Sequence, residues 1–155
     1  MAKFQHKHKQ YASMAAQSAR KQPSQQALAA LVETMIIAAC IDGMLEPGEL
    51  DSLALQILAT PGFDHLDRHS IGPMIEEIVT RIAEDGIGER VKAIAEAIGT
   101  DERTREECFA LATLFILYDG EVGDEEQEFL EALQSALHLS DERASHISSL
   151  LADAD

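Results

Sequence analysis

Apolar residues recur three and four positions apart along almost the whole chain, and the every-second-residue alternation of a half-buried strand is nearly absent. The pattern predicts an all-α protein. A weakly amphipathic segment over about 3–20 carries Phe4, Tyr11 and Met14 as its larger apolar groups. A second helix starts after Pro23-Ser24 and runs to about Ile41, with Leu28, Leu31, Val32, Met35, Ile36 and Ala39 on one stripe. Its last turns are apolar all round, which places it at the centre of the fold.

A third helix begins near Pro47, whose missing N–H does no harm in a first turn, and ends at Thr60-Pro61-Gly62. Residues 63–73 are less regular, and Gly72-Pro73 predicts a helix boundary or kink. Ile75, Ile78, Val79 and Ile82 then define a fourth helix that stops at Asp85-Gly86. A fifth holds Ile87, Val91, Ile94 and Ile98 and closes on Gly99; Thr100 or Asp101 caps a sixth, which runs through Tyr118 and is apolar on most sides. It is the second central helix. A seventh contains Phe129, Leu130, Leu133 and Leu137, and an eighth, capped by Ser140, contains Ala144, Ile147 and Leu151. No low-complexity linker divides them, so residues 23–155 read as one domain preceded by a basic arm or helix over 1–22.

Composition sharpens this picture. At 155 residues the chain is long enough to bury a sizeable core. Its longest unbroken apolar run, Met35 to Ile41, is far too short to span a bilayer. The formal net charge is -16, unevenly distributed: Lys3, Lys7, Lys9, Arg20 and Lys21 precede the first acid, Glu33. A body this acidic repels phosphate backbones, which argues against nucleic acid and for cations or a basic protein partner. The basic start lacks the apolar stretch of a secretory signal, so a cytoplasmic location is expected. Cys40 and Cys108 each stand alone in apolar helical runs and are expected as buried thiols.

The most informative feature is a repeat at an offset of 77 residues. Asp42-Gly43-Met44-Leu45-Glu46-Pro47-Gly48-Glu49 aligns with Asp119-Gly120-Glu121-Val122-Gly123-Asp124-Glu125-Glu126, each behind a very apolar helix. The shared pattern is Asp-Gly-x-apolar-x-x-x-Glu. Gly43 and Gly120 suit the left-handed end of a helix, Leu45 and Val122 are expected to turn inward, and Glu49 and Glu126 fall in the first turn of the next helix. Capping alone leaves Asp42 and Asp119 without a role. The pattern is also the second half of an EF-hand loop, but the first half is missing: Ala38, Cys40, Phe115 and Leu117 stand where oxygen ligands would be needed. An autonomous EF-hand is therefore rejected. If the two central helices are related by a pseudo-twofold, Asp42, Glu49, Asp119 and Glu126 converge, and four crowded carboxylates call for a divalent cation, a basic partner or protonation.

In its two Asp-Gly-x-apolar-x-x-x-Glu bends the chain resembles the TerB-like tellurite-resistance family over roughly residues 24–140. The resemblance implies a compact bundle of seven or eight helices with internal pseudo-twofold duplication, and a metal-binding acidic cluster associated with tellurite and other chemical stress. Carried over to this chain, the cluster is Asp42, Glu49, Asp119 and Glu126, with calcium, magnesium and zinc not distinguished. Family members usually have Ser or a similar cap before the second helix, where this chain has Glu46 and Gly123.

Other signals are weaker. His65 and His69 have the spacing of two imidazoles on one helix face, but no HExxH accompanies them, and surface histidines are the default. His6 and His8 lie in the basic arm, and His138 and His146 read as structural or exposed. No phosphate loop or nucleophile constellation is recognisable, which favours a noncatalytic domain. An acidic protein-interaction module is the alternative, and a metal-assisted hydrolase ranks last.

Overall fold

The computed structural model describes residues 25–41, 47–60, 63, 66–117 and 122–152. The segment 3–20, Asp42 to Glu46, and 118–121 lie outside them, and with them the expectations for Gly43, Leu45, Tyr118 and Gly120. The described residues form seven helices: α1 (Gln25–Cys40), α2 (Pro47–Ala59), α3 (Arg68–Asp85), α4 (Ile87–Ile98), α5 (Glu102–Leu117), α6 (Asp124–Ala136) and α7 (Asp141–Ala152). Among them there is no strand, and no helix is long and apolar enough to cross a membrane.

The helix ends follow from short polar side chains and glycines. Asp67 accepts the His69 N–H at 3.0 Å to start α3, Asp101 accepts the Thr104 N–H at 3.2 Å to start α5, and Ser140 accepts the Arg143 N–H at 3.1 Å to start α7. Gly86 (φ +85°) and Gly99 (φ +76°) close α3 and α4, their N–H groups returning to the carbonyls of Ile82 and Ala95. Here side-chain-free backbone is required, because L-residues are strained at these angles. The end of α6 uses His138 instead, at φ 56°, with the Leu139 N–H reaching back to Gln134 O at 3.1 Å.

One boundary departs from expectation. Gly72-Pro73 does not break the chain; α3 begins at Arg68 and carries both residues through. Pro73 is exposed and sits early in the helix, while Ile71 and Ile75 on either side are buried. Removing those two isoleucines from water, together with the Asp67 cap, outweighs one missing backbone hydrogen bond.

The centre is α1 against α5, the most extensive helix–helix contact in the fold. Residues 31–38 of α1 and 108–116 of α5 are buried without interruption, as expected for helices apolar on all sides. Helix α4 covers α1 on another side, α3 also lies on α1, and α7 and α6 lie on α5. Thr34 and Thr113 are tolerated in this core because each hydroxyl donates one turn back, to Ala30 O at 2.8 Å and Phe109 O at 2.9 Å. The Thr34 hydroxyl also lies 3.3 Å from the Cys108 thiol, which ties the two central helices at mid-length. Neither cysteine forms a disulfide; Cys108 is fully buried and Cys40 only partly so.

The bounds of α1 and α5, and those of α2 and α6, differ by the same 77 residues as the sequence repeat. Their surroundings differ: α2 lies mainly on α3, whereas α6 lies on α4 and α5.

Candidate functional site

Of the four acids that the repeat singles out, Asp42 and Asp119 lie outside the described residues. Glu49 is in the first turn of α2 and exposed, and Glu126 is in the first turn of α6. Glu126 is buried, only 7% exposed, and its Oε1 accepts the Gly123 N–H at 2.8 Å. This is the backward-reaching half of a capping box; Gly123 has no side chain to supply the other half. A Cβ on Gly123 would come within 3.3 Å of the same oxygen, so the carboxylate lies where a capping side chain would otherwise sit. The Gly at this position is thus matched to the Glu three residues on.

Val122 does not turn inward. It is 42% exposed, and the start of α6 is held by the Glu126 carboxylate rather than by an apolar plug. His69 is exposed on α3, and His65 lies outside the described residues, and with it the expected pairing of the two imidazoles. His138 and His146 are both exposed. Among the described residues no three His, Cys, Asp or Glu side chains come together as a metal would require.

The structure reveals a charged constellation that the repeat does not contain. Glu33 sits in the buried stretch of α1, and its two oxygens accept from Arg90 Nε at 2.6 Å and Nη2 at 2.8 Å. Arg90 Nη1 also donates to Asp85 at 3.2 Å, which joins α1 to the turn between α3 and α4. The planar fork matches the carboxylate with two parallel bonds, and this hydrogen bonding to Glu33 holds the guanidinium proton more tightly than usual despite partial burial. Its signal in the sequence is that Glu33 is the one charged residue of α1. Arg105 plays a related part, donating to Thr100 O at 2.7 Å and Leu137 O at 3.2 Å. Burial, with the nearby Asp101 charge, pushes the Glu107 carboxyl above its usual value. Burial also pushes the Cys108 thiol up to about 12, which leaves it protonated and unreactive at neutral pH.

A cleft of about 420 Å³ opens between α6 and α7. Its floor is Phe109, Leu130 and Ala144, and its walls are amides, hydroxyls and the carboxylates of Glu131 and Asp141. Gln127 donates to Glu131 at 3.2 Å and Gln134 to Asp141 at 2.8 Å, so both carboxylates are oriented along the rim.

No family model, curated protein or solved structure significantly matches this chain.

Proposed function

We propose that this chain is a noncatalytic, TerB-like stress-response domain whose two acidic bends hold a divalent cation through Asp42, Glu49, Asp119 and Glu126. The observation that supports this reading is the helix frame around the bends. The helices before and after each bend have equal lengths and the same 77-residue offset, and the two preceding helices pack directly on one another. Such a site requires a pseudo-twofold whose axis runs along these two helices, which brings both bends to one pole. There Asp42 and Asp119, which capping does not use, act as the ion's principal ligands. Hard oxygen donors suit calcium or magnesium, and zinc remains a third candidate for assay.

Thermal melts of the wild type and of Asp42→Asn plus Asp119→Asn, with chelator and with each of the three ions, test the proposal. An ion at 100 times its dissociation constant adds about 2.7 kcal/mol, which raises the Tm of a chain this size by about 5–10 °C. The double variant should lose that increment and keep the chelated Tm. No ion-dependent shift in the wild type overturns the reading.

One observation favours a second reading, an acidic interaction module without metal. Glu126 is already engaged by the Gly123 N–H, while Asp124, Glu125, Glu128 and Glu131 on the same helix face solvent. In that case capture of basic partners weakens with salt and is indifferent to chelator.

A further inference from the structure

We propose that the cleft between α6 and α7 is the docking site of the chain's own basic segment, residues 1–22. The inference stands apart from the cation reading, since neither Glu131 nor Asp141 belongs to the bends.

The cleft has a structural origin. Only residues 137–140 separate α6 from α7, yet both helices lie on α5 more extensively than on each other. Their divergence exposes a trough with carboxylates on both walls, Glu131 on α6 and Asp141 on α7, and among the described residues that line it there is no Lys, Arg or His. The amides of Gln127 and Gln134 orient these carboxylates but do not neutralise them. Residues 122–152 hold seven acids and one base, Arg143, which is itself paired with Glu106. A cation-bearing occupant is the chemistry that relieves this imbalance.

The chain supplies such an occupant. Arg81, Arg90 and Lys92 are paired with acids on or beside their own helices or on α1, and Arg105 is bonded to carbonyls. The densest block of positive charge is the segment before Pro23, with Lys3, Lys7, Lys9, Arg20 and Lys21 and no acid. Its Phe4, Tyr11 and Met14 offer side chains for the apolar floor. Twenty-two extended residues span up to about 75 Å, more than the width of a domain this size, so the tether limits no approach. Because the segment is attached, its effective concentration is in the millimolar range and modest contacts suffice.

Paramagnetic relaxation enhancement on the full chain tests the docking. A nitroxide is placed through Ala2→Cys in a Cys40→Ser background, with Cys108 buried and inert. Amide signals of Glu131, Ser145 and Ser149 should broaden well beyond those of Glu76 and Val79 on α3, and the effect should fall by more than half in high salt. Ser145→Arg, an exposed change that puts bulk and positive charge into the trough, should remove the selective broadening while leaving the Tm in place. Broadening that is uniform, centred elsewhere, or unchanged by Ser145→Arg overturns the proposal. So does broadening that also appears when labelled chain is mixed with separately isotope-enriched, unlabelled chain, since the occupant is then another molecule.

Discussion

Arg90 is the place where one substitution should separate packing from electrostatics. Replacing it with Met keeps most of the stem that packs beside α1 but removes the guanidinium, leaving the Glu33 carboxylate in the core without the two bonds at 2.6 and 2.8 Å. The side chains are 15% and 6% exposed, so solvent screens the pair little. Asp85, nearly half exposed, contributes little beside it. Removing one partner of a buried pair costs about 3–5 kcal/mol, chiefly because the remaining charge stays desolvated. With a urea slope of about 2 kcal/mol/M, the unfolding midpoint of Arg90→Met should fall by about 2 M. Arg90→Lys, which keeps the charge but not the fork, should lie in between. The informative control is the double change Glu33→Leu plus Arg90→Met, expected within about 1 kcal/mol of wild type because no buried charge is left. The reasoning is refuted if Arg90→Met loses less than 1 kcal/mol, or if the double variant is as unstable as the single one.

Three further outcomes are expected. Gly99→Ala should cost about 1–3 kcal/mol by strain alone, since φ is +76° and nothing lies within 4 Å of the new Cβ, whereas Gly48→Ala, in the first turn of α2 with equal space, should gain about 0.4–1 kcal/mol; denaturant midpoints of the pair decide. His138→Gly should add about 1 kcal/mol by relieving a left-handed residue at the end of α6, read as a rise in Tm. The Cys108 thiol binds its proton more tightly in the folded than in the unfolded chain. Its contribution is therefore constant below the ordinary value of 9.0 and is lost as pH rises from there toward about 12, at about 1.4 kcal/mol per pH unit. Cys108→Ala should flatten that alkaline decline in stability measured by urea unfolding between pH 8 and 10.5, and an undiminished slope would refute the assignment.

The helical order was readable because the punctuation is local. Asp101, Ser140, Gly86 and Gly99 each act on groups within a few residues of themselves, so their roles survive any tertiary arrangement. Reading failed where distant contacts decide. Gly72-Pro73 reads as a boundary or kink, and the boundary is not there, because burial of Ile71 and Ile75 carries α3 through it. The pattern places Val122 inside, plugging the gap between two helices, yet it is exposed and a carboxylate holds the start of α6. The Glu33–Arg90 pair joins residues 57 apart, and no local spacing announces it. Of the acids in the bends, the first-turn placement of Glu49 and Glu126 was legible from helix-start chemistry. The burial of Glu126 was not, because it depends on Gly123 having no side chain to fill the same space.

The encirclement of α1 and α5 constrains how this protein can be divided or assembled. Over residues 31–38 and 108–116 each is buried on every side, and each is the other's largest neighbour. A fragment severed between α3 and α4 would carry an axle with no wheel, insoluble until a complementary fragment arrived. Unfolding should consequently proceed in a single step, with neither half persisting after the other is lost. If both halves descend from one unit, that unit was viable only as an obligate pair.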